Sequence, residues 1–443
     1  MKLRPWEPGP LTETRAERPR TWFLGLAALI APVYMRLALR IRCVHVEGAE
    51  VLGRQYEAAR RGESRFLVAF RHPGDADPHL AFWLLHFRLP RDLGRPRRDF
   101  GGLFLAGAEV PLWGGPLVRW ALRNAGTVPI RHGVLDRATL DSLVAAIAEN
   151  PRPVALAPEG QVTYHVRTVQ SLDEGVARLA LWASERMAAA GRPLPVRIVP
   201  LAVDYRYTPR ALARLPAFLS RLERRCGIPD GSGLPVRGRL DRLWDRLIRL
   251  AEDHYTRAYG QARAPETAGV RERLHHVLEG IMARLEGWYR LEPAGDLKAR
   301  TMAARTASSA LVFYPPVRWQ GMCPVERGMA RRTAAEAYFL DRHQQLVDLG
   351  EYLDPAYAGP MGSELPGDRA IEIAQNLWDL ENRLEGGDIG FRSLAFRKDV
   401  VLRVGEPVEA SRVAGESRLE ASRRVLGNLR TVFETLAAGA SAQ

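Results

Sequence analysis

A chain of 443 residues, 46% hydrophobic and 26% charged, can bury a real core and is long enough for two or three domains, or for one domain carrying a large insertion. Its formal net charge of +13, nearly all of it arginine, points to a polyanionic partner: nucleic acid, anionic lipid headgroups or a phosphorylated substrate. Three cysteines (Cys43, Cys226, Cys323), far apart and odd in number, exclude a disulfide framework and zinc-ligand spacing, and suit a reducing cytosolic compartment.

Residues 1–20 are polar, with four prolines, and read as a poorly ordered lead-in. The apolar stretch 22–39 (WFLGLAALIAPVYMRLAL) is interrupted by Pro32 and Arg36 and falls short of the roughly 20 apolar residues of a spanning helix. Over residues 1–42, eight basic residues stand against three acidic ones. An aromatic-led apolar segment in that setting predicts a helix lying on an anionic leaflet; a helix packed on the domain core is the other reading.

Alternation over 43–48 predicts an edge strand, and 55–61 a polar helix. The run 66–70 (FLVAF) reads as a short buried strand that delivers His72 into a turn made by Pro73 and Gly74. Asp77 and Pro78 then read as the N-cap and first position of a helix over 79–87. A histidine and a carboxylate are thereby held between a strand end and a helix start, which suits a general base with its orienting acid. Further strands are predicted at 104–106, 127–130, 153–157 and 197–205. Helices are predicted within 110–126, with Leu117, Trp120 and Ala121 at helical spacing, and over 138–150 and 171–190. Strands alternating with helices define an α/β layer: a mixed, mostly parallel sheet flanked by helices. Residues 209–397 are mostly helical, without a visible repeat. A last strand at 400–404 and an amphipathic helix bearing Leu426, Leu429, Phe433 and Leu436 resume the first pattern. The predicted organisation is an interface segment 1–42, an α/β domain 43–208, a helical insertion 209–397 and the closing part of the domain at 398–443.

Four strand ends carry distinctive clusters: His72 with Asp77, Gly126 to Arg131, Pro158–Glu159–Gly160, and Val199–Pro200–Leu201. Sites in α/β sheets assemble at strand C-termini. In this order the clusters resemble the glycerolipid acyltransferase family, of the lysophosphatidic acid acyltransferase type. RHPGDAD matches its His-x-x-x-x-Asp block, GTVPIRHG its Gly-to-Arg block, Pro158–Gly160 its Pro-Glu-Gly block, and IVPLAV its strand with an internal proline. VLRVGEP is similar to its late Gly-Glu-Pro strand, so the likeness covers roughly 45–207 and 400–437 and leaves the insertion out. Three positions depart from the family pattern. Arg71 stands where Asn is usual before the histidine, His132 where a second Arg is usual, and Gln161–Val162 where Thr-Arg follows the Pro-Glu-Gly.

The resemblance implies transfer of a fatty acyl group from acyl-CoA or acyl-carrier protein to the hydroxyl of a lysophospholipid such as lysophosphatidic acid. It takes no cofactor beyond that thioester co-substrate, and no metal. His72 is the expected base, since its ordinary pKa suits proton removal near neutral pH, with Asp77 fixing its tautomer. Arg131, or His132 beside it, is the expected phosphate contact. Glu159 is expected to position the acceptor's hydroxyls, and Gly160 to lie near backbone amides that serve the oxyanion. The implied setting is the cytoplasmic face of the cell membrane, peripheral or monotopic, with the acyl donor thioester, the lysolipid and the anionic surface as partners. A catalytically silent lipid-binding or scaffold protein on the same fold is the alternative. Nucleic-acid binding rests on charge alone, with no recognition motif, and a Gly-x-Ser-x-Gly hydrolase elbow is absent. His72, His79 and His86 recur every seven residues, but Pro78 breaks the helix between the first two, which argues against a metal site.

Overall fold

The computed structural model describes residues 9–10, 19–108, 110, 115–130, 137–314, 316–354, 364–387 and 395–439. Most of the expected lead-in, together with Arg131 and His132, lies outside the described residues. The chain divides into two units. One is built from described residues within 14–130, 135–208 and 397–443; the other lies chiefly in Pro209–Phe396.

In the first unit, helix α1 (Thr21–Leu37) leads to β1 (Ile41–Glu47), α2 (Ala49–Arg60) and β2 (Arg65–Phe70). After these come α3 (Asp77–Trp83), β3 (Leu103–Gly107), α4 (Gly115–Asn124), β4 (Thr127–Ile130), α5 (Arg137–Glu149), β5 (Val154–Leu156), α6 (Gly175–Ala189) and β6 (Val196–Tyr207). The chain returns to this unit with β7 (Lys398–Val404), β8 (Val408–Ala410) and α7 (Arg418–Ala438). The strands form one mixed, mostly parallel sheet in the order β1-β7-β6-β2-β5-β3-β4, with β8 also pairing antiparallel to β6. Among the described residues, only the β6–β7 and β6–β8 pairings of this sheet are antiparallel.

The alternation of β2 explains its central place. Phe66, Val68 and Phe70 point into one core layer with Leu52 and Tyr56 of α2 and Leu80 of α3. Leu67 and Ala69 point into the other, with Leu143 of α5, Ala177 of α6 and Leu429 and Phe433 of α7. A strand buried on both faces reads as a continuous apolar run, as this one does. Helix α7 starts where Ser417 accepts from the Glu420 amide while the Glu420 carboxylate takes the Ser417 amide, a reciprocal cap.

Three sequence expectations are corrected. The cap of α3 is Ala76, not Asp77, because the Asp77 carboxylate is engaged elsewhere. The helix expected over 79–87 ends at Trp83 and passes through a π-helical turn (Leu84–Arg88) into a short helix (Leu89–Asp92). Pro90 can donate no hydrogen bond to the carbonyl four residues back, and the widened turn accommodates that loss. The 199–201 cluster is no strand end: Val199, Pro200 and Leu201 lie in the middle of the twelve-residue β6. The short β8 had no counterpart among the predicted strands.

The second unit is helical. Its longer helices are Leu215–Arg225, Val236–Tyr259, Val270–Tyr289, Leu297–Val312, Pro324–Leu353 and Gly367–Leu384. Buried ion pairs tie them internally: Arg239 with Glu223, Arg273 with Glu252, and Arg300 with Glu286.

Candidate active site

The site forms just beyond the C-terminal ends of β2 and β5, which are adjacent and in parallel register (Leu67 with Val154, Ala69 with Leu156). The chain leaves β2 at Arg71 and His72 and turns through Gly74 into α3. Asp77, on the first turn of α3, is fully buried, and its carboxylate gathers three donors. Oδ2 accepts from the Gly74 amide at 2.6 Å and lies 3.2 Å from His72 Nδ1. Oδ1 accepts a hydrogen bond from the Tyr205 hydroxyl. A carboxylate can only accept, so the proton sits on His72 Nδ1 and the neutral ring keeps its lone pair on Nε2. The His72 side chain is 15% exposed, while that of Asp77 is fully buried. Burial works against its charged form. The hydrogen bond and charge of Asp77, with Glu159 and Asp75 behind them, outweigh that and hold the imidazole above its ordinary pKa.

Glu159, three residues past β5, is drawn against the same loop. One oxygen accepts from the His72 amide at 2.5 Å, the other from Arg71 Nε at 3.1 Å. Arg71 directs three of its four remaining donors at carbonyls of the loop that follows: Val166 at 2.7 Å, His165 at 3.1 Å and Thr168 at 2.8 Å. Both side chains of this ion pair are 1% exposed. The same loop holds the histidine's other backbone group, since the Thr163 amide donates to the His72 carbonyl at 2.8 Å. Tyr164 reaches across to Asp75 at 2.9 Å.

Of the residues singled out in the sequence, His72, Asp77, Glu159 and Gly160 are therefore brought together. Glu159, however, points inward: its carboxylate is buried and committed to Arg71 and the His72 amide, so what it visibly orients is the histidine loop. Gly160 adopts a left-handed conformation (φ 73°), and its own amide donates to the Ala157 carbonyl at 3.2 Å. The phosphate contact expected at Arg131 or His132 lies outside the described residues. The three histidines at seven-residue spacing occupy unlike settings. His79 is exposed and meets the Tyr34 hydroxyl at 3.3 Å. His86 accepts from the Gly102 amide, stacks on Phe82, and is pushed down to about 3 by burial. Among the described residues no three His, Cys, Asp or Glu side chains are grouped to hold a metal ion.

Tyr205 was missed in the sequence. Its signal was a polar-tipped ring in alternation with the buried Val199, Leu201 and Val203 of β6, a buried hydroxyl that needs a partner. Arg71 stood out only as a departure from a motif, and its carbonyl partners lie more than 90 residues away.

A His–Asp pair thus stands at the end of a central strand of a parallel-rich α/β sheet. Residues 43–204 match the family model described as Acyltransferase, so the chain carries an acyltransferase-family domain over that span. Neither the curated proteins nor the solved structures give a match.

Proposed function

We propose that the protein transfers a fatty acyl group from an acyl-CoA or acyl-carrier-protein thioester to the hydroxyl of a lysophospholipid such as lysophosphatidic acid. The observation that carries this reading is the 3.2 Å contact of His72 Nδ1 with the Asp77 carboxylate, from which Nε2 follows as the basic nitrogen. Nε2 takes the proton of the acceptor alcohol as its oxygen attacks the thioester carbonyl. Asp77 stabilises the imidazolium that forms. The tetrahedral oxyanion collapses, the C–S bond breaks, and the imidazolium returns the proton to the departing sulfur, giving ester and free thiol. Arg131 is the candidate contact for the acceptor's phosphate. Arg71 and Glu159 hold the loop from which His72 acts.

The working place in this reading is the cytoplasmic face of the cell membrane, reached without a spanning helix; none of the described helices is long and apolar enough to cross a bilayer. Helix α1 supports it. Trp22, Leu26, Leu29, Val33 and Leu37 form an exposed stripe, while Phe23 on another side is buried. Trp120 of α4 packs on Trp22 and Phe23, and Leu117 beside it is 74% exposed. Arg36 on α1 and Arg119 and Arg123 on α4 supply positive charge for an anionic leaflet.

The test is acyl transfer from radiolabelled acyl-CoA and acyl-carrier protein to a panel of lysolipids and glycerol 3-phosphate. The wild type should acylate at least one lysolipid, and His72→Ala should lose at least the ~10²–10⁴ of a general base. Turnover that survives His72→Ala would overturn the mechanism. Lipid binding without turnover in the wild type would leave the silent scaffold.

A further inference from the structure

We propose that Tyr205 is a positioning residue of this site: by fixing one oxygen of Asp77, its hydroxyl turns the other oxygen onto His72. The inference rests on the role just given to the His72–Asp77 pair.

A carboxylate's last torsion is broad and roughly two-fold, so a single hydrogen bond does not orient it. Asp77 is fully buried, where no water competes for its oxygens or corrects its direction. The Gly74 amide and His72 Nδ1 both address Oδ2, so nothing on the His72 loop itself holds Oδ1. Tyr205 does so, from a strand 128 residues away in sequence.

The tyrosine is itself constrained on two sides. A Cβ at position 74 would lie 2.8 Å from the ring's Cε2 and 3.1 Å from its oxygen, so glycine at that turn is what lets the ring approach. The Lys398 ammonium sits 4.0 Å from the ring centroid. Tyr205 is 5% exposed. Burial, then the adjacent Asp77 charge, with Asp75 and Tyr207 adding to it, keep the phenol protonated and hence a donor. The groups acting on His72 are Asp77, Glu159 and Asp75, with His79 nearby. Of these, only Asp77 meets its ring by a hydrogen bond.

The decisive variant is Tyr205→Phe, which keeps the ring and removes only the hydroxyl. The first readout is the titration of the His72 imidazole, followed by NMR in the full-length protein with labelled histidine and without substrate. The proposal expects the titration point to fall, because an unanchored Asp77 no longer offsets the cost of burying the imidazolium. The second readout is turnover: kcat should drop about tenfold to a hundredfold with KM little changed. A tyrosine that merely fills the core would leave the titration where it is. An unchanged or raised titration point in Tyr205→Phe overturns the proposal. The titration needs no turnover, so a wild type that acylates nothing sinks the functional reading while the role of Tyr205 is still decided.

Discussion

At the scale of single residues, two ionic arrangements do different jobs. In the proposed reaction, His72 with Asp77 is a pair whose proton moves. Its raised pKa has a definite consequence for rate, because a base acts only when neutral. Activity should therefore fall on the acid side as pH drops through the raised pKa, with the limb above the ~6.5 of an ordinary histidine. A kcat/KM profile against pH reads this directly, and a limb below that value would contradict it. Arg71 with Glu159 is a pair meant to stay. Both ends are 1% exposed, and the guanidinium also serves three carbonyls. Removing one partner strands a buried charge, so Arg71→Ala should cost on the order of 3–5 kcal/mol in denaturant unfolding. Adding Glu159→Gln should recover part of that loss, and additive losses would argue against direct coupling.

At the scale of elements, the spacing of apolar residues reports a helix faithfully but not which way it faces. Leu117 and Trp120 have the period of a core helix, yet on α4 they are exposed, next to the outward stripe of α1. The same side chains that would be a flaw in a core-facing helix suit the lipid-facing surface proposed above. Burying a large apolar side chain is worth roughly 1.5–3 kcal/mol. Leu29→Glu with Val33→Glu should therefore weaken sedimentation with anionic vesicles at least tenfold, leaving the far-ultraviolet circular dichroism unchanged. Equal binding by this variant and the wild type would remove α1 from the docking surface.

At the scale of the whole chain, the sheet is closed by residues distant in sequence. β7 lies between β1 and β6, and β8 and α7 cover a further part of the same core, where Val425, Leu429 and Phe433 are fully buried. A fragment ending at residue 208 would expose that core and should fail to fold cooperatively. The Thr208 amide donates to the Arg397 carbonyl at 3.2 Å, so the two ends of the interruption are neighbours within one unit. Joining them with a short glycine-containing turn in place of 209–396 should yield a soluble protein with a single thermal transition. Closing a short loop there costs little chain entropy. A molten product would show that the domain needs the inserted residues to fold.

Much of this was legible in the residues alone, for local reasons. Continuous apolar runs flanked by glycine and proline announce doubly buried strands, and the spacing of His72 and Asp77 across one turn announces a dyad, because both signals span a few residues. The inward commitment of Glu159, the carbonyl cradle around Arg71 and the hydroxyl that Tyr205 lends to Asp77 were decided only in three dimensions. Each depends on strand order and register, which set residues scores of positions apart side by side. Hydrogen-bond partners at that separation leave no period in a sequence, so the pairing of His72 with Asp77 could be read from the chain, but its support could not.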